Sequence, residues 1–374
     1  MSIKRLLFIL IVWQILLTSV LWGLGKILPL QKTFLGDGLK VYSTNPLIYS
    51  RANFDGNHYL NIARRGHGHT QEAFFPLYSN LIRFFARFTP HVNAGIMISS
   101  ISFAVAMIFF VRLIYLDHKD KRIVFWTIIG LLVFPTSFFF GMVYTESLFL
   151  MLIVMSFYFA RTGRWWLAGV CGALASYTRL MGIVLLPALL IERWVEISSQ
   201  ESWFEKLKKS LPILMIAFGL LTYMYYLWQT TGDALAFIHI QKLFGQGRSD
   251  KLILLYQVFW RYYKMLISVD PRNIIYFNIV LEFITGLGLL VYSIYAFFRQ
   301  RKSYAIFAII SYLIPTLTGN FVSLPRYILV TFPFFIDFGK VLANHSNWRW
   351  IIITISSFLS LGLWLMFARG YWIA

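Results

Sequence analysis

Long apolar runs separated by short polar breaks dominate the chain. They fall at about 5–28, 94–114, 123–140, 146–160, 165–178, 180–192, 211–230, 274–298, 303–318, 327–343 and 350–368. A membrane-spanning helix needs roughly 20 apolar residues. The pattern predicts about eleven spans, some of them short, notably 146–160 and the pair on either side of Arg179. Two segments, 29–93 and 231–273, break the pattern. Within them, FFPLYSNLIRFFARFTP and LILLYQVFWRYYKML mix bulky aromatics with Arg and Lys, which suits helices lying in the membrane interface. No repeat or low-complexity stretch is visible. The expected fold class is an all-α polytopic membrane protein, a single transmembrane domain over 1–374.

Composition agrees. Of 374 residues, 59% are hydrophobic and only 13% are charged, against about 25% charged in a soluble domain. The net charge of +19 invites a nucleic-acid reading. Lys and Arg gather instead in short loops, LDHKDKR, RTGR, EKLKK and RQRK, where they orient spans and meet anionic lipid. No nucleic-acid partner is expected. Those loops place the amino terminus in the cytosol and the two long segments outside. The opening run has a basic flank, is too long for a cleaved signal and reads as a retained signal anchor. The single cysteine, Cys171, permits no intrachain disulfide and reads as a packing residue.

On this topology the unusual residues converge on the outer side. Asp55, His58, Arg64, Arg65, Glu72, Tyr144, Glu146, Arg179, Gln241, Arg248 and Arg326 all fall outside or at the outer boundary. Asp55, His58, Tyr59 and Ile62 are spaced to share one helix face. Asp55 reads either as the cap of that helix or as a carboxylate aimed at a substrate hydroxyl. Glu72 reads as a solvated loop acid, a partner of Arg64 or Arg65, or a site residue. Glu146 opens a span, where a negative charge suits the helix dipole. Arg179 lies among apolar residues, a costly placement that points to function. Arg326 follows Pro325, and a guanidinium fork grips phosphate well; the other reading of both arginines is snorkelling to lipid headgroups. The pair His67 and His69 lacks a third ligand at a known spacing, so no metal site is expected. Glu282 and Asp337 also fall within spans. Asp337 can reach inner water, whereas the sequence offers Glu282 no partner.

Five stretches in order, FDGNHYLNIARRGH, EAFFPLYS, PTSFFFGMVYTESLF, SYTRLMGIVLLP and LPRYILVTFPFF, resemble the PIG-V mannosyltransferases. The resemblance spans roughly 5–345. It implies the GT-C glycosyltransferase fold, an extracytoplasmic active site and inversion at the anomeric carbon. It implies a polyprenyl-phosphate-linked sugar donor and a lipid or glycan acceptor, with Asp55 as the catalytic carboxylate. Arg179, Arg326 and Arg248 are the expected phosphate-binding groups, with Glu72, Glu146, His58 and Gln241 as further substrate contacts. Phe54 stands where the family has tryptophan, and Ser79 where it has proline. With the short chain, these departures suggest a prokaryotic relative in the cell membrane with its own acceptor. The donor phosphate already carries the charge a metal would neutralise, so strict metal dependence is not expected.

Two other classes compete. A transporter or flippase would place its charges near the bilayer midplane and show paired broken helices. A scaffold subunit would keep the fold without the acid.

Overall fold

The computed structural model describes residues 1–68, 70–197, 201–244, 249 and 251–373. They form helices joined by turns, with no strand among the described residues. Five helices are long and apolar enough to cross a membrane: Ile3–Leu24, His91–Asp117, Trp203–Thr231, Ile274–Arg299 and Ser346–Ala368. A sixth apolar stretch is interrupted at Thr331, between Leu324–Val330 and Phe332–Asn344. The chain is an integral, multi-pass, all-α membrane protein. The other predicted runs are helical but shorter, including Lys121–Val133, Glu146–Arg161, Trp165–Thr178, Leu185–Glu196 and Lys302–Thr316. The 123–140 run stops early because Pro135 disfavours helical geometry in the residue before it. The helix ends at Val133 and a 3-10 turn, Ser137–Gly141, follows.

The chain divides into two units. One gathers Met1–Gly68, Pro76–Tyr158 and Phe335–Ile373. Its first helix buries Leu6, Leu10, Trp13, Leu17 and Leu21, a stripe at three- and four-residue spacing. Phe8, Ile11, Ile15 and Trp22 face outward, an apolar surface that lipid can cover. The indole N–H of Trp13 donates to Leu132 O, and that of Trp364 donates to Leu17 O. Gly339 lets two helices touch: a Cβ there would lie 2.0 Å from Thr127 Oγ1.

The other unit holds His69–Phe75 and Phe159–Phe334. Its tightest contact joins Trp165–Thr178 to Trp203–Thr231. A Cβ on Gly169 would lie 1.9 Å from Pro212 O, and one on Gly219 would lie 1.9 Å from Ala173 O. Small residues at these positions bring backbones together, and Ser176 Oγ donates across the seam to Ile216 O. Elsewhere Glu192, 4% exposed, accepts from Arg301 Nη1 at 2.8 Å and from Ser303 Oγ, with Arg161 Nε 3.3 Å away. Glu282 is buried, and it does have a partner: the Tyr262 hydroxyl donates to its carboxylate and accepts from the Phe321 N–H. That bond fastens the Leu255–Ser268 helix to the Ile274–Arg299 span.

Candidate functional site

The first unit builds a rigid frame under Asp55. Pro46 starts a short helix, Pro46–Tyr49, which runs into the 3-10 turn Ser50–Ala52. Asn53 follows, fully buried. Its amide accepts from Gly36 N at 2.9 Å and donates to Phe367 O at 2.8 Å, and its carbonyl accepts from the Tyr144 hydroxyl. Phe54 then adopts φ 54° and ψ −117°. That region favours glycine, and a bulky residue held there stores about 1–3 kcal/mol of strain. Ring packing offsets it: the Phe54 ring meets Phe34, Phe367 and Trp372 at 6.0, 5.6 and 5.2 Å. The kink ends where Asp55 opens the helix Asp55–Arg65.

Asp55 is therefore the first helical residue, half-buried, and Phe54 occupies the cap position. Tyr59 and Ile62 bury the face they share with Asp55, while His58 stays half-buried. Burial pulls the His58 imidazole below its ordinary value, and the Asp55 charge opposes that pull. Glu146 opens the Glu146–Arg161 helix and is 1% exposed. The segment leading to it is tied to the Asp55 frame. Val143 N donates to Arg51 O at 2.8 Å, and Tyr59 Oη and Thr145 Oγ1 lie 3.4 Å apart. Gly56 packs against Ala52, Val143 and Tyr144, where a Cβ would lie 3.3, 3.4 and 3.6 Å from its neighbours. The starts of two helices, each carrying an acid, are thus fastened to one another within this unit.

Arg64 forms a forked pair with Asp37, at 2.6 and 2.7 Å. The expected alternative of Arg64 pairing with Glu72 is replaced by this contact.

The second unit carries Arg179 and Arg326. Arg179 sits in extended backbone where the Trp165–Thr178 helix ends. The following turn is tight: a Cβ on Gly182 would lie 2.2 Å from Ser176 N. Arg326 is 6% exposed in the turn Leu324–Tyr327, which Ser323 enters at φ 65° and Pro325 stiffens. The two guanidinium groups meet on one ring, with Arg179 at 4.9 Å and Arg326 at 5.5 Å from the Tyr327 centroid. Each position suits a cation–π contact. Both guanidinium groups, each a fork of N–H donors, thus approach the same tyrosine ring.

Glu72 and Gln241 belong to the same unit. The Tyr223 hydroxyl donates to Glu72 O at 2.7 Å, and Gln241 Nε2 donates to Phe237 O at 3.2 Å. Phe75, Tyr223 and Phe237 pack together, with Tyr177 and Leu180 against them. Those last two flank Arg179, so Glu72 and Gln241 are attached to the same cluster as the arginine. One Glu72 carboxylate oxygen, Oε2, is buried with no hydrogen-bond partner among the described residues. Arg248 and His69 lie outside the described residues.

Asp55, His58 and Glu146 therefore share one unit, and Arg179, Arg326, Glu72 and Gln241 share the other. Sequence reasoning missed Asn53, Tyr223 and Tyr327. Tyr327 adjoins Arg326 in LPRY, the only local signal available. No protein-family model matches the chain, and no curated protein matches it.

Proposed function

We propose that the chain is an inverting glycosyltransferase of the GT-C type, with about eleven spans and an extracytoplasmic site. It moves a hexose, most simply mannose, from a polyprenyl-phosphate-linked donor to a lipid or glycan acceptor. The observation that carries this reading is the pair Arg179 and Arg326 on the Tyr327 ring. A lipid phosphate leaving the sugar gathers negative charge, and preorganised donors there contribute about 3–4 kcal/mol each. The five stretches that resemble PIG-V enzymes supply the substrate class.

In this reading Asp55 takes the proton of the acceptor hydroxyl. The acceptor oxygen forms its bond to the anomeric carbon from the face opposite the phosphate. The bond to the phosphate oxygen breaks, and its electron pair stays on the phosphate held by Arg179, Arg326 and Arg248. His58, Glu72, Glu146 and Gln241 orient sugar and acceptor. The strained turn at Phe54 supports the role of Asp55, because rigidity before a carboxylate favours positioning over flexibility.

The test is transfer of labelled hexose from lipid-linked donor by purified protein in liposomes. Asp55→Asn lowers turnover by about 10²–10⁴-fold at unchanged donor saturation. Arg179→Ala and Arg326→Ala raise the donor concentration needed for half-maximal rate. Wild-type turnover in Asp55→Asn would remove the base assignment. Lipid translocation without any transfer by the wild type would favour a transporter instead.

A further inference from the structure

A second cationic feature lies in the first unit, on a side chain the proposed reaction does not use. Arg51 is 7% exposed. It donates to Gln14 Oε1 at 3.0 Å, to Gly141 O at 3.1 Å and to Thr18 Oγ1 at 2.9 Å. All three acceptors are neutral. No carboxylate among the described residues pairs with this guanidinium. Gly141 keeps the contact possible, since a Cβ there would lie 2.8 Å from Gln14 Nε2 and 3.3 Å from Arg51 Nη1. A buried cation without a counter-charge is costly, so the surroundings should offer it an anion.

They offer a place for one. Gln14 and Thr18 form part of the wall of a cleft of about 430 Å³ between the Ile3–Leu24 and His91–Asp117 helices. Ser19 and Ser100 complete its polar part, and Leu7 and Ile11 belong to its apolar part. The hydrogen bonds set the character of the polar part. Arg51 occupies the Gln14 carbonyl oxygen, leaving that amide its N–H donors. Thr18 accepts from Arg51 and donates to Gln14 O. The wall therefore presents donors backed by positive charge, beside an apolar trough. Ile11, Ile15 and Ser19 are exposed on that side, where a spanning helix meets the bilayer.

We infer that this cleft binds an anionic glycerophospholipid of the surrounding membrane. Its phosphate sits at Gln14, Ser19 and Ser100 in the field of Arg51, and one acyl chain lies along Leu7 and Ile11. Charge complementarity selects the class: a choline headgroup would bring a second cation toward Arg51. The inference does not depend on the transferase reading.

The experiment is native mass spectrometry of the delipidated full chain in neutral detergent. Phosphatidylglycerol and phosphatidylcholine with the same acyl chains are added at equal concentration. The wild type retains phosphatidylglycerol at least tenfold better. Ser100→Leu, which fills the cleft and leaves the Arg51 bonds intact, loses that retention. Arg51→Gln brings the two lipids within twofold. Should Arg51→Gln fail to fold, Ser100→Leu alone decides. Equal retention of both lipids by the wild type would overturn the inference. So would undiminished phosphatidylglycerol binding by Ser100→Leu, or its displacement by a lower concentration of polyprenyl phosphate.

Discussion

Replacing Glu192 by Gln removes one charge and almost no volume. Glu192 is 4% exposed, and its carboxylate faces two cations. The Arg161 side chain is 9% exposed and the Arg301 side chain 38%. The two partners therefore weigh differently. Arg301 is screened by solvent, and its share is below about 1 kcal/mol. Arg161 cannot recover hydration, though it keeps its bond to the Tyr304 hydroxyl at 2.9 Å; removing the charge opposite a buried ion costs about 3–5 kcal/mol. The Ser303 hydroxyl can still donate to the Gln carbonyl, so that bond is kept. The expected cost of Glu192→Gln is about 3 kcal/mol, mostly from removing the Glu192 charge beside Arg161. Arg161→Met removes the cation that Glu192 faces, so the double variant should recover about 2 kcal/mol relative to the sum of the single losses. Unfolding in mixed micelles by titration with dodecyl sulfate measures all three variants against wild type. Additivity within about 0.5 kcal/mol would refute the reasoning, because independent sites behave that way.

Gly219→Ala pushes a methyl into the Ala173 carbonyl and cuts monodisperse yield on size exclusion severely, whereas Gly288→Ala, with open space around it, changes stability by no more than about 0.5 kcal/mol. Tyr262→Phe strips Glu282 of a buried donor and costs about 1–3 kcal/mol, read as faster proteolysis within the Leu255–Ser268 helix. The His58 imidazole lies below its ordinary range in the folded chain. The unfolded chain therefore binds its proton first as pH falls. Stability declines on acidification below about pH 6.5, the unfolded value for histidine. His58→Gln flattens that decline, which unfolding midpoints at pH 7.5 and pH 5 would reveal.

Much of the helix plan was legible because lipid imposes it. Apolar runs of sufficient length become helices wherever backbone groups must satisfy themselves. The edges were legible only where proline speaks. Pro135 trims the run at 123–140, and Pro333 marks the interruption at Thr331. Asp55 stood out because it follows an aromatic, precedes Gly56 and shares a helix face with His58, Tyr59 and Ile62. Its support did not, since Asn53 bonds a backbone carbonyl 314 residues away. Carbonyls carry no sequence signature, so such a bond cannot be read from residue types. Glu282 lacked a partner in the sequence for a similar reason. Tyr262 lies on a different helix, and nothing in its neighbourhood distinguishes it from other tyrosines. The joint placement of Arg179 and Arg326 on Tyr327 required two separate turns, each bent by local rules that act independently of the other.

The Asn53 bond has a consequence for how the chain is made. A ribosome adding 5–20 residues per second needs roughly 15–60 s to travel from residue 53 to residue 367. Throughout that interval the turn that holds Asp55 lacks the carbonyls that fasten it, while the whole intervening unit is being inserted. The early helices stay half assembled over that interval, with the Asn53 amide short of a carbonyl not yet synthesised.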